Sequence, residues 1–178
     1  NNSLNKSDVF RQIIDLQQDL YKSWKLYAKI QWDNEKVSSS NYDSSTTSSP
    51  KRNILSLYAA VDGKIYRDLD LRMTLRNDIV DDKSVGLFPT AMLTYRMPFV
   101  KGLSFNLGYS HNYRNPSLND LYWNPGGNEN LKGENGKTVD FDINYLYENL
   151  NFNLDLRTGF YYSKVKDWIQ WIPTTYRY

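Results

Sequence analysis

Side chains able to do covalent chemistry are scarce in this sequence. It has one histidine, His111, and no cysteine, which excludes a thiolate nucleophile, a thiolate metal site and a disulfide framework. No Ser–His–Asp arrangement can be built around His111. It falls in an alternating run, Leu103, Phe105, Leu107, Tyr109, His111 and Tyr113, whose parity places it among outward-facing aromatics near the loop end of a strand. Asp81 and Asp82 are adjacent carboxylates able to meet a cation, but they lack the glycine-punctuated oxygen spacing of a calcium loop. A solvated loop end suits them better. Asp140 and Asp142 share a face without a partner acid at a glycosidase separation. No phosphate-binding glycine loop occurs. We expect no catalytic residue, no metal and no cofactor.

What the sequence does offer is recognition chemistry, concentrated at residues 115–136. Tyr122 and Trp123 present flat amphipathic surfaces, and Asn119 and Asn128 offer donors and acceptors. These are the ingredients of a solute-binding rim. Pro125-Gly126-Gly127 is a turn-forming run that gives the segment a defined shape. The same composition also suits a loop folded back on the body of the protein with its Leu and Tyr packed inside. Residues 37–50 differ, with seven Ser and two Thr before Pro50. Such a stretch buries too little apolar surface to order itself, and reads as a mobile outer loop.

The elements that position these segments follow a two-residue period. Trp24, Leu26, Ala28, Ile30 and Trp32 occupy one parity, and Lys25, Tyr27, Lys29, Gln31 and Asp33 the other. A helix would mix the two sets, whereas a strand separates them onto opposite faces. The pattern recurs at 55–62, 69–76, 85–96, 103–113, 138–147 and 152–163. A weaker first strand spans roughly 8–20, where Phe10, Ile14, Leu16 and Leu20 align but Gln12 and Gln18 interrupt. Eight strands are predicted. Short connections fall near 21–23, 63–68, 98–102 and 148–150, and longer ones near 37–52, 115–136 and from 167. The short connection near 81–84 breaks the alternation.

Strands of about 10–13 residues exceed the globular norm of about 5–6 and match the 9–11 of a tilted membrane strand. Trp24 and Trp32 lie about 26 Å apart along their strand, or about 20 Å in height at a tilt near 40°, close to the spacing of two aromatic girdles. A soluble antiparallel sheet with one face on a core also alternates. Composition fits the membrane reading: mean hydropathy is -0.69, yet 15 Tyr, 7 Phe and 5 Trp argue against disorder. The longest apolar run, Leu57–Val61, is far short of the roughly 20 residues of a spanning helix. With 22 basic against 20 acidic residues, nucleic acid is not an expected partner. The polar parity carries Asp70, Arg72, Arg76, Asp78, Arg96, Asp140, Asp142, Asp155 and Arg157. A closed eight-stranded barrel has room only for packed side chains, so these charges favour part of a wider barrel.

At the long loop the sequence becomes recognisable. Tyr113-Arg114-Asn115-Pro116-Ser117-Leu118-Asn119-Asp120-Leu121-Tyr122, followed by Gly127-Asn128-Glu129-Asn130-Leu131-Lys132-Gly133-Glu134, resembles the barrel of TonB-dependent outer-membrane receptors. It departs at Glu129 and Gly133, where the family pattern has proline. Asp167-Trp168-Ile169-Gln170-Trp171 is similar to the outer end of the family's next hairpin. The resemblance implies an all-β, antiparallel up-and-down meander, about eight strands of the wall of a 22-stranded transmembrane β-barrel. Residues 1–178 would be a partial barrel domain without plug or C-terminal strands. It implies no enzyme, but an active transporter in the outer membrane of a Gram-negative bacterium. Its partners would be TonB, acting through the plug, the membrane lipid, a cobalamin-like corrinoid or else an iron-siderophore, and a surface-exposed lipoprotein. Asn119, Tyr122, Trp123 and Asn128 are the expected solute contacts; Pro116, Leu118, Leu121, Gly127, Leu131 and Glu134 are expected to shape the loop. A complete small eight-stranded barrel and a soluble carbohydrate-binding β-sandwich are the alternatives. Missing neighbour strands would leave an open, strongly curved sheet or edges paired with another copy.

Overall fold

The computed structural model describes residues 5–42 and 49–172. Eight strands form one antiparallel sheet in the order of the chain. They are β1 (Asn5–Asp19), β2 (Lys25–Ser39), β3 (Lys51–Tyr66), β4 (Leu69–Val80), β5 (Lys83–Arg96), β6 (Leu103–Arg114), β7 (Glu134–Asn149) and β8 (Phe152–Lys166). One short helix, α1 (Leu118–Tyr122), interrupts the β6–β7 connection. Among the described residues β1 and β8 pair with β2 and β7 only. The sheet is therefore open, and neither the closed eight-stranded barrel nor the two-sheet sandwich is formed.

Register joins the parities seen in sequence. Ala28 faces Ala59, Ile30 faces Leu57 and Trp32 faces Leu55; Val61 faces Met73; Leu93 faces Leu107; Leu107 faces Phe141, and Phe141 faces Phe160. A one-residue slip anywhere would move these apolar sets to the charged side, so the alternation itself pins the register. Ile30, Leu57, Leu107 and Phe160 are all exposed on this face, as expected of a surface meant for lipid.

The opposite face is charged but largely self-neutralised by pairs between neighbouring strands. Arg11 meets Asp33 at 2.7 Å, Lys29 meets Asp15 at 3.4 Å and Arg72 meets Asp62 at 2.6 Å. Lys64 and Arg96, from flanking strands, converge on Asp70. Asp140 and Asp142 enter none of these pairs; Gly108 lies opposite the first and Gly159 opposite the second, and a Cβ at either would run into the carboxylate.

Several boundaries differ from the sequence expectations. The first strand begins at Asn5, and β3 runs on to Tyr66, past the expected turn at 63. Gly63 lies under the Trp24 ring, where a Cβ would stand 2.5 Å from Trp24 Cδ2; it is a packing glycine inside a strand. Asp81 and Asp82 both have positive φ, 45° and 66°, and form a tight two-residue hairpin. Asp81 Oδ1 accepts from the Asn53 amide at 2.9 Å, and among the described residues no cluster of His, Asp and Glu is arranged for a metal. The mobile loop expected at 37–50 is partly ordered: residues 37–39 end β2, while 43–48 lie outside the described residues.

Candidate functional site: the loop-side rim

The buried side chains gather mainly at the loop end. Of the buried hydrophobics, Tyr42, Phe88 and Leu118 lie there, with Asp78 and Asp120 beside them. Their position follows from where the β6–β7 connection goes. Arg52 Nη1 donates to the Pro116 carbonyl at 2.6 Å, and Arg76 Nη2 to the Tyr113 carbonyl at 2.9 Å. Both arginines belong to the charged parity of β3 and β4. The start of the loop is thus drawn across the charged face of the wall. Arg52 is itself fixed by Glu35, at 2.6 Å. Fixed cations satisfying backbone carbonyls are a strong form of hydrogen bond, and they tie an irregular segment to a rigid sheet.

Below the loop, Tyr113 stacks on Phe88 with centroids 5.1 Å apart, and the Arg76 guanidinium lies 5.6 Å from the same ring. His111 packs edge-on against Phe88 at 5.2 Å, and its Nε2 lies 2.8 Å from Asn135 Oδ1. His111 is thus a packing residue at the loop end of its strand. The pairing of β5 with β6 ends at Thr90 and Ser110, and beyond it alternation no longer dictates what each β6 side chain meets. Gly133 makes room for this stack, since a Cβ there would collide with the Tyr113 phenol.

The helix α1 is short enough to need its cap. Asp120 N donates to Ser117 Oγ at 3.1 Å, and Ser117 N donates to Asp120 Oδ2 at 2.8 Å, a reciprocal capping box. The other carboxylate oxygen of Asp120 accepts the Trp171 indole N–H at 2.9 Å. Arg114 stands 3.4 Å from Asp120 and 3.0 Å from Glu134, whose Oε1 also takes the Ile169 amide at 2.9 Å. Burial pushes the Asp120 carboxyl up. The donors Trp171 and Ser117 and the charge of Arg114 outweigh it and hold the group below the usual carboxylate range.

On the other flank, Tyr42 is buried and donates its hydroxyl to Asn119 Oδ1. Its ring meets Trp123 edge-on at 6.4 Å, the two residues form a β-bridge, and Asn124 N donates to Asn41 O at 2.8 Å. Burial raises the Tyr42 phenol above its ordinary pKa. Tyr42 escapes notice in sequence because it sits in a Ser/Thr run. The helix likewise goes unpredicted, although Ser117 followed three residues later by Asp120 is a capping signature.

The structure brings Asn119, Tyr122 and Trp123 onto one turn of α1 and its C-cap. Asn128 closes back on it, its amide donating to the Asp120 carbonyl at 2.9 Å, while its side chain takes the Asn130 amide at 2.9 Å. Asn119 and Asn128 are exposed, Tyr122 and Trp123 half-buried. Of the residues expected to shape the loop, Pro116 and Leu118 are buried, and Leu121 and Leu131 half-buried. Gly127 approaches so closely that a Cβ would lie 2.6 Å from Trp123 N. Glu134 is the acceptor described above.

A single meander of strands 12 to 16 residues long, apolar on one side and ion-paired on the other, with a folded rim at one end, defines a segment of a receptor-type β-barrel wall. The family model described as TonB dependent receptor-like, beta-barrel, matches residues 1–178, and the chain belongs to that family. A vitamin B12 transporter BtuB from Photobacterium profundum is 30% identical over 111 residues, 61% of this chain and 17% of the relative. A second BtuB, from Vibrio vulnificus, is 28% identical over 57% of the chain and 16% of the relative. The chain therefore spans about one-sixth of the length of these curated relatives. Among solved structures, the ferric enterobactin receptor PfeA of Pseudomonas aeruginosa, in complex with BCV-L6, superposes with a TM-score of 0.67 at 19% identity. That match covers 92% of this chain and 27% of the other. The siderophore receptor PirA of the same species superposes at 0.66 with 16% identity, covering 82% and 30%. These likenesses establish the shared barrel fold.

Proposed function

We propose that this chain forms part of the wall and rim of an outer-membrane active transporter of a Gram-negative bacterium. The transporter binds a large scarce solute on the loop side and imports it with energy delivered by TonB through a plug domain. A corrinoid is the favoured solute. The observation that carries this reading is the alignment of more than half the chain with two vitamin B12 transporters. The chemistry of the rim supports it. Asn119, Asn124, Asn128 and Asn130 are exposed on the folded loop, while Arg52 and Arg114 are engaged by Glu35, Asp120 and Glu134. An amide-rich rim with its arginines already paired suits a large amide-bearing solute. Asn119, Tyr122, Trp123 and Asn128 are the proposed contacts. The mechanism is binding and energised gating, without covalent chemistry.

Isothermal titration of the full-length receptor with cyanocobalamin tests the assignment. Saturable binding, together with uptake that stops when the proton-motive force is collapsed, is the expected result. Silence with cyanocobalamin and saturable binding of a ferric siderophore would transfer the assignment to the iron-carrier branch.

A further inference from the structure

The end of the sheet opposite the rim carries a repeated arrangement that the transport reading does not use. Four short connections lie there, at residues 20–24, 67–68, 97–102 and 150–151. Each presents a large apolar side chain to solvent at or beside its tip: Tyr21 is 81% exposed, Tyr66 70%, Phe99 91% and Leu150 99%. Leu20, Ile65, Val100 and Phe152, also exposed, join these tips to the apolar face of the strands. The lipid-facing band therefore continues onto the turns. Three of the four tips add a cation next to the apolar group: Lys22, Arg67 and Lys101. Lys22 has φ 61°, and its Nζ stands 5.1 Å from the centre of the Tyr21 ring. Within these four connections Asp68 is the one carboxylate; Asp19, paired with Lys25, lies just before the first and Glu148 just before the last. At the opposite end, the tight β4–β5 hairpin is tipped by Asp81 and Asp82.

An aromatic ring at the headgroup boundary with a cation one residue beyond is how a protein surface meets an anionic leaflet. We propose that the Tyr21-Lys22, Tyr66-Arg67 and Phe99-Val100-Lys101 turns form a binding surface for anionic glycerophospholipid headgroups in the leaflet on the short-turn side. The apolar tips seat in the acyl boundary, and the ammonium and guanidinium groups engage the phosphates. The apolar tips would be costly in bulk water, while the cations would lose hydration if drawn deeper, so together they fix the depth of this rim. The inference rests on the membrane placement proposed above.

The test is native mass spectrometry of the full-length receptor, extracted in detergent and exposed to equal amounts of phosphatidylglycerol and phosphatidylcholine. Retention of phosphatidylglycerol above phosphatidylcholine is expected. The triple variant Lys22→Gln, Arg67→Gln, Lys101→Gln should lower that preference by up to about five-fold per charge removed. Lys83→Gln with Lys132→Gln, at the rim end, should leave it unchanged. Equal retention of the two lipids, or an undiminished preference in the triple variant, overturns the headgroup inference alone. Retention of neither lipid overturns it too, whereas recovery of the receptor in the soluble fraction without detergent would overturn the membrane placement.

Discussion

The indole N–H of Trp171 donates to Asp120 Oδ1 at 2.9 Å across 51 residues of sequence. This bond joins the segment that follows β8 to the capping box of α1. With Tyr42 bonded to Asn119 from the other side, the β6–β7 loop is held between two neighbouring connections and pinned from below by Arg52 and Arg76. The rim is therefore one interlocked body rather than three separate loops.

Replacing Asp120 by Ala should loosen that body without opening the sheet. The Ser117 amide loses its carboxylate acceptor at a cost of about 1 kcal/mol, and the unpaired Trp171 N–H adds a further ~1 kcal/mol. Amide exchange of residues 118–131 in the full-length receptor should accelerate by about 10- to 30-fold, with β2–β4 unchanged. Equal acceleration throughout would show that the loop is not separately held.

The same carboxylate gives the rim a pH dependence of known sign. Its pKa is lowered on folding, so its stabilisation is fully present above the unfolded carboxylate value of about 3.9. That stabilisation is lost as pH falls through the folded value. Exchange protection of the loop, corrected for intrinsic rates, should hold from neutrality to about pH 4 and decline below it. In Asp120→Asn that acid limb should flatten, and a limb of the same depth in the variant would assign it to another group.

Gly133 and Tyr113 form a second testable pair. Gly133→Ala should destabilise the loop by about 1–3 kcal/mol, because the phenol cannot retreat while stacked on Phe88. Tyr113→Leu in the same chain should recover most of the loss. A double variant as damaged as Gly133→Ala alone would point to the backbone instead.

Tyr42 and Trp123 should behave as a coupled pair. The single substitutions Tyr42→Ala and Trp123→Ala are each expected to weaken corrinoid binding, while the double variant falls short of their sum by about 0.5–1.5 kcal/mol. Strict additivity in titration calorimetry would mean that the edge-on contact does not shape the binding surface.

The wall was legible in sequence because its signal is local and repeated. Leu55, Leu57, Ala59 and Val61 announce a face without knowledge of their neighbours. The first strand was weaker because Gln12 and Gln18 sit on its apolar parity, opposite Trp32 and Leu26. The start of the β3–β4 turn is placed early in sequence, since a glycine under a tryptophan ring and a glycine in a turn look alike in one dimension. The motif at 113–134 singles out a loop with a defined shape, but not its path. That path is set by Arg52 and Arg76, which act 64 and 37 residues away, through donors whose targets are backbone carbonyls and so leave no trace in residue type. His111 belongs with this set: alternation predicts a strand's faces only while both neighbours remain paired.

Among the described residues, every strand of this wall bonds only to its neighbours in chain order. Circumference is consequently a count of hairpins. Each added pair contributes roughly 10 Å of perimeter and alters a single seam, leaving every other register intact. A wall built this way changes its width by gaining or losing one hairpin, with no existing strand pair to be redesigned.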